Sequence, residues 1–303
     1  MLNKALPYLS LNDYFRSKYK TRVQKITLSL PFTCPHGQCS YCWQGSIPPG
    51  NSVDVPLTKQ LETGILKGKK KYGEETKFFA YFQSYTNTND TPGNLKKMYD
   101  GVLNYHDIIG ISAGTRPDAA PEEVLNLLDS YADRGLEPWI EFGLQSASDT
   151  TLKRINRGHT VKQFVDAAGA AARTRLKILA HVIIGFPWET PDDFMRTISL
   201  VSSLNIHGIK IHPLYIMDGT KLGDEYKASR FKLLSIEDYV NALADIIEVL
   251  PKEMVIMRFT AEGHPERLLA PDYCMPAYKL KIKEMLIEEM HKRGSIQGCK
   301  HRE

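Results

Sequence analysis

The chain has 303 residues, 42% of them hydrophobic and 24% charged; that is material for a sizeable core, and it excludes the disordered, collagen-like and coiled-coil classes. The formal net charge of +4 is too small a surplus to mark a nucleic-acid-binding surface. No stretch near the start reads as a signal peptide and no apolar run approaches the roughly 20 residues that span a bilayer, so a cytoplasmic protein without membrane contact is expected.

Residues 1–24 read as an N-terminal segment whose Lys18, Lys20 and Arg22 begin a basic cluster that runs on to Lys25; Lys67, Lys69, Lys70 and Lys71 form a second. Either cluster suits an anionic partner or an ordinary solvated face. From Lys25 to Tyr215 short apolar runs alternate with longer amphipathic stretches, the pattern of repeated βα units on a parallel sheet. Strands are predicted at 25–30, 78–83, 108–113, 139–145, 178–185 and 208–214. Helices are predicted at 121–135, which opens on Pro and two acids and stops at Gly, and at 160–175 and 190–205, each opened by Thr. The α/β architecture this implies is a partial (β/α)6 barrel over residues 25–218. The rhythm then changes: a helix at 235–250, a strand at 253–262 and a helix at 276–294 make residues 219–303 a C-terminal α/β extension packed on the barrel.

Three of the five cysteines fall in TCPHGQCSYCWQG as Cys34, Cys39 and Cys42, at the end of the first predicted strand, where barrels and open α/β sheets display loop residues for chemistry. Such crowding of an odd number of cysteines argues for metal ligation in a reducing compartment rather than a secreted disulfide framework. Three thiolates can hold three irons of a cubane and leave the fourth open to a ligand. Two other readings compete: a non-catalytic zinc or iron–sulfur binding module with a regulatory role, in which His36 could be a fourth zinc ligand, and a (β/α) metabolic enzyme in which the cysteines are incidental. Zinc knuckles normally pair two C-x2-C units, and neither Cys274 nor Cys299 has a partner at that spacing. Cys274 is expected to be buried and Cys299 to lie in a loose tail.

The cysteines are followed in order by KFFAYFQSYTNT (77–88), ISAGTRPD (111–118), EFGLQSASDTTLKRINRGH (141–159), HVIIGFPWET (181–190) and KIHPL (210–214). Together these resemble the YhcC-like radical SAM proteins, a group similar to the elongator-type and coproporphyrinogen-dehydrogenase-type enzymes. The chain departs from the common pattern in having four residues, not three, between its first two cysteines. The resemblance implies a radical SAM barrel in which Cys34, Cys39 and Cys42 hold a 4Fe–4S cluster and S-adenosylmethionine lies across the C-terminal strand ends. It further implies an electron from a reductant such as flavodoxin or ferredoxin, and a 5′-deoxyadenosyl radical that takes hydrogen from a small molecule or an RNA nucleoside, with tRNA as a candidate partner.

By the same resemblance, Gln83 and Thr86 sit with Ser84, Tyr85 and Asn87 where relatives turn toward the methionyl amine. Ser112 falls where relatives place a ribose-binding acid, which is missing here, and Thr115 and Arg116 follow in the loop as further cofactor-contact candidates. Gln145 suits a ribose hydroxyl. Arg157 matches the position that clamps the methionyl carboxylate. His181 falls at another ribose position, Gly185 lets backbone approach adenine, and His212 with Pro213 and Leu214 flanks the base. Glu141 shares a strand face with Gly143 and Gln145, which makes it either a partner of Arg157 or half of a buried ion pair. Tyr81, Tyr85, Tyr215, Arg116, Lys210 and Arg258 are substrate-contact candidates near strand ends. His106, His207, His264, His291 and His301 read as structural or surface residues.

Overall fold

The computed structural model describes residues 6–43, 54–83 and 85–301. In chain order the elements are α1 (Leu11–Tyr19), β1 (Val23–Leu28), α2 (Leu57–Tyr72), β2 (Lys77–Phe82), α3 (Pro92–Tyr99), β3 (Ile108–Thr115), α4 (Glu122–Asp129), β4 (Glu137–Gln145), α5 (Asp149–Arg154), α6 (Val161–Ala171), β5 (Lys177–Ile184), α7 (Pro191–Ser203), β6 (Gly208–Pro213), β7 (Ile216–Met217), α8 (Lys221–Ser229), α9 (Ile236–Val249), β8 (Val255–Arg258), β9 (Leu268–Ala270) and α10 (Lys279–Arg293). All six predicted barrel strands form. Helix starts follow the predicted chemistry: Thr160 with Gln163 and Thr190 with Asp193 each close a capping box at the head of α6 and α7.

Strands β1 to β6 pair in sequence order, all parallel. The strand expected in the C-terminal extension also joins this sheet: β8 pairs parallel with β6, so the sheet has seven strands among the described residues. Helix α9 is the reason. It acts as one more crossover helix, burying Tyr239, Val240, Leu243 and Ile247 against the core and returning the chain beside β6.

Inter-strand contacts show that the sheet is curled. Lys210 on β6 donates to the Tyr81 hydroxyl on β2 at 2.9 Å, although four strand spacings would put them roughly 19 Å apart in a flat sheet. Alternation along each strand then divides the residues. Outward side chains such as Ile26, Phe78, Ile111, Ile140, Ile178 and Ile209 join the main core beneath the helices. The lowest inward layer is apolar: Val23, Phe79, Trp139 and Leu179 close around Phe15 of α1, which plugs the base of the barrel.

Several basic residues that form clusters in the sequence are paired in space. Lys18 meets Glu137 at 2.9 Å, Lys69 meets Asp107 at 2.7 Å, and Lys25 points inside the barrel. Cys274 is fully buried. Cys299 is exposed, but its surroundings are not loose: Gln297 is buried, accepts from Leu9 N–H at 2.7 Å and donates to Met254 O at 2.8 Å, which pins the tail to the N-terminal segment and to β8.

Candidate active site

The cysteine loop begins where β1 ends and is held by a distant turn. Ser40 N–H donates to Ile155 O at 2.8 Å, Asn156 Nδ2 donates to Gln38 O at 2.9 Å, and His36 Nε2 lies 3.0 Å from Asn156 O. Asn156 takes the left-handed conformation, φ 51°, an uncommon state for a residue with a side chain. The additional residue between Cys34 and Cys39 is absorbed in a turn: Gly37 sits at φ 88° and its N–H reaches Cys34 O at 3.3 Å. Cys39 is buried and Cys34 and Cys42 are half-buried. Thr86 Oγ1 donates toward Cys34 Sγ at 3.4 Å, and Arg157 Nη1 toward Cys39 Sγ at 3.7 Å.

The chemistry of this trio suits a metal cluster. Burial, with the Cys39 and Cys34 sulfurs alongside, pushes the Cys42 thiol up to about 11; three thiolates ionise together only when a cation compensates them. Among the described residues no three His, Cys, Asp or Glu side chains meet at one point as a mononuclear ion requires. A cubane makes a different demand, since each thiolate binds its own iron.

The cysteines open onto a cavity of about 690 Å³ walled by Gln83, Tyr85, Gly114, Thr115, Gly143, Gln145, Arg157 and His181, with Tyr81 and Glu141 also reaching it. The volume falls within the roughly 300–1,000 Å³ of small-molecule sites. A second recess of about 190 Å³ adjoins it, lined by Tyr41, Gln145, His181, Ile183, His212, Pro213, Leu214 and Tyr215. Gln145 and His181 stand on the boundary. Gln145 has φ 75° and lies at a register shift between β4 and β5; non-glycine residues in that region carry strain of about 1–3 kcal/mol, and such strain concentrates at functional sites. Gly143 is what lets Arg157 lie across β4: a Cβ there would come within 2.4 Å of Arg157 Nη2 and 2.6 Å of Gln145 Nε2. Arg157 Nη2 donates to Gly143 O at 2.9 Å, and Nε lies 3.1 Å from His159 Nε2.

Above the apolar plug the inward layer turns charged. Glu141, fully buried on β4, accepts from Lys25 Nζ of β1 at 2.7 Å, from Ser112 Oγ of β3 at 2.7 Å, from His181 Nε2 of β5 at 2.7 Å and from Lys210 Nζ of β6. The two ammonium groups lie 3.9 Å and 4.1 Å from the Tyr81 ring centroid. Burial alone would raise the Glu141 carboxyl; Lys210, Lys25 and His181 override it and hold the group well below the usual carboxylate range. Burial, against the opposing pull of Glu141, lowers Lys210 to about 7. Burial and the nearby Lys210 lower His181 to about 4, so it is neutral and offers Nε2–H to Glu141.

Of the residues read from the sequence, Gln83, Thr115, Gln145, Arg157 and His181 line the main cavity and His212 lines the recess. Thr86 touches Cys34 instead. Ser112 is spent on Glu141, and Arg116, 1% exposed, is spent on Asp118 at 2.7 Å and on the Arg157 carbonyl. Gly185 lies at φ 100°, and a Cβ on it would meet the Leu234 side chain at 3.1 Å rather than the cavity. Glu141 does not pair with Arg157. Ser84 lies outside the described residues. The sequence reading missed Lys25 as an interior residue and the 155–157 turn as the seat of the cysteine loop. A usable signal was present for the first: Lys25, Tyr81, Ser112, Glu141, His181 and Lys210 interrupt otherwise apolar strands at matching inward positions.

Comparison with known proteins agrees with this geometry. The profile described as Radical SAM superfamily matches residues 28–201, and one described as Radical_SAM C-terminal domain matches 206–292. Protein YhcC of Escherichia coli (strain K12) is 34% identical over 93% of this chain and 92% of that protein. The uncharacterized protein MJ0486 of Methanocaldococcus jannaschii is 33% identical over 95% of this chain and 90% of that protein. The solved structure of Methanocaldococcus infernus Elp3 with an N-terminal deletion superposes with a TM-score of 0.71 at 16% identity, covering 91% of this chain and 64% of that one. Streptococcus suis SuiB bound to S-adenosylmethionine superposes at 0.53 with 11% identity, covering 84% and 56%. At such identities the two structures speak for the fold alone. Full-length similarity to YhcC, the matching profiles and the curled parallel sheet together show that the chain belongs to the radical SAM superfamily, within its YhcC-like group.

Proposed function

We propose that this enzyme holds a 4Fe–4S cluster on Cys34, Cys39 and Cys42 and cleaves S-adenosylmethionine reductively. The observation that carries the reading is that the three cysteines line one cavity together with polar strand-end residues. When bound, the cluster and S-adenosylmethionine supply a 5′-deoxyadenosyl radical able to take hydrogen from carbon. The chain's own residues bind and orient. Arg157 presents a guanidinium between Cys39 and the cavity, suited to a carboxylate. His181 is held by Glu141 with its Nε2–H committed, which leaves Nδ1 as an acceptor for a sugar hydroxyl. Gln145, on the boundary of cavity and recess, serves as donor and acceptor at once, and His212 with Leu214 gives the recess walls suited to a flat base. Gln83, Thr115 and Gly143 complete the cavity wall, while Thr86 and Arg116 brace the cysteine loop and the turn that seats it.

Reductive cleavage calls for a one-electron donor of the flavodoxin or ferredoxin class and for oxygen-poor, reducing surroundings such as the cytoplasm. Anaerobic reconstitution tests the reading. Iron- and sulfide-loaded protein should show a thiolate-to-iron band near about 400 nm and release 5′-deoxyadenosine from S-adenosylmethionine under dithionite. Loaded protein that neither binds S-adenosylmethionine nor forms 5′-deoxyadenosine overturns it.

A further inference from the structure

Beneath the S-adenosylmethionine-sized cavity lies a second chemical environment that the proposed cofactor roles leave unused. The barrel interior at the level of Val23, Phe79, Trp139 and Leu179 is filled with apolar side chains, so the fold does not need charge to close its interior. One layer higher it holds two ammonium groups on a single carboxylate. Replacing buried ion pairs with apolar side chains of similar volume is often neutral or stabilising, so a charged layer that borders the cavity through Tyr81, Glu141 and His181 is poor structural filler. The arithmetic of charge is also unbalanced. With Lys210 protonated, as it is in part at neutral pH, Lys25 and Lys210 bring two positive charges against the one negative charge of Glu141, and His181 and Tyr81 are neutral. The neighbouring cation, Arg258 on β8, has its own carboxylate, Glu262 at 3.5 Å. The lysine side chains keep 15% and 10% of their surface exposed, and Tyr81, Glu141 and His181 of the same cluster reach the cavity wall.

We infer that this charged floor, Lys25 and Lys210 about Glu141 with Tyr81 and His181, is the recognition site for an anionic group, a carboxylate or phosphate, on a small-molecule substrate. Each ammonium gives one N–H to Glu141; Lys210 gives a second to the Tyr81 hydroxyl and Lys25 packs on the Tyr81 ring. The two remaining N–H groups of Lys25, the one remaining on Lys210 and the uncompensated charge are available to an incoming oxyanion. Anchored there, a substrate would present carbon toward the cysteine end of the cavity. The inference rests on the radical SAM reading above.

The test uses the full chain and three probes at matched ionic strength: malonate for a carboxylate, inorganic phosphate for a phosphate, and neutral malonamide, with sodium chloride as baseline. Thermal unfolding of the wild type should rise saturably with malonate or phosphate and not with malonamide. Whichever anion acts identifies the source chemistry. Lys25→Gln and Lys210→Gln should each raise the half-saturating concentration by about 10- to 150-fold, the loss of one hydrogen bond to a charged group. Lys25→Arg, which keeps the charge, should stay near wild type and controls for misfolding. No saturable shift above the chloride baseline, or equal half-saturation in the wild type and both Gln variants, overturns the inference. A parallel assay for 5′-deoxyadenosine separates the two claims: cleavage without anion binding defeats this inference alone, and anion binding without cleavage in loaded protein defeats the radical reading.

Discussion

Replacing Glu141 with Gln preserves the shape of the side chain and removes the carboxylate on which the charged layer converges. Four groups donate to this carboxylate. The amide that replaces it accepts at one atom only and turns an NH₂ toward donors. Lys25, and Lys210 to the extent that it is protonated at this pH, are then left without a counter-charge in a buried layer, the situation for which breaking a buried ion pair costs about 3–5 kcal/mol. An unfolding entropy of about 0.64 kcal/mol/K for a chain of 303 residues converts this to a loss of about 5–8 °C in Tm. Differential scanning calorimetry at pH 7 on wild type and Glu141→Gln reads it directly. The companion variant Lys25→Met/Glu141→Leu/Lys210→Met removes all three charges together and should recover most of the loss, because apolar fillers replace the whole set. A Gln variant within about 1 °C of wild type, or a triple variant no better than the single one, refutes the account of the charged layer.

Three further outcomes are expected. Alanine at Cys34, Cys39 or Cys42 should each abolish cluster retention, and undiminished iron content in all three variants refutes the ligand set. Gly143→Ala places a Cβ 2.4 Å from Arg157 Nη2 and should fold yet bind S-adenosylmethionine at least about tenfold more weakly, since Arg157 and Gln145 must both move; an unchanged titration refutes the assigned wall. His159 and His181 are both lowered to about 4, each chiefly by burial, so they are neutral when folded and protonate near 6.5 when unfolded. Their contribution is full above pH 6.5 and is lost as pH falls toward 4, about 2 kcal/mol for each at pH 5. Urea midpoints equal at pH 7 and pH 5 contradict this.

Much of the architecture was legible because it is local. Apolar runs marked all six strands from β1 to β6, Thr160 and Thr190 marked helix starts, and the C-x4-C-x2-C spacing marked the cysteine loop that opens onto the cavity without any knowledge of the fold. What could not be read depends on closure. That Lys25 meets Glu141, and Lys210 meets Tyr81, follows from the curl of the sheet, which no single strand encodes. The same limit hid β8, whose apolar run was visible but whose neighbour was set by the α9 crossover. Backbone states were equally hidden: Gln145 and Asn156 adopt left-handed φ without the glycine that normally advertises it. The partners of Ser112 and Arg116 were not legible, and for Glu141 the choice between Arg157 and a buried ion pair stayed open until the fold resolved it in favour of the ion pair, because alternation fixes a face and not a contact.

The seat of the cysteine loop has a temporal consequence. Its anchors, Ile155 and Asn156, come well over a hundred residues after Cys34 in the chain, and they reach their positions only after β4 has paired and the following turn has formed. A ribosome-bound chain that has exposed only its first hundred residues therefore offers thiols with nothing to hold their spacing. On the cluster reading proposed above, iron loading would follow barrel closure, and a lesion in the 155–157 turn would surface as an assembly defect rather than as a loss of ligands.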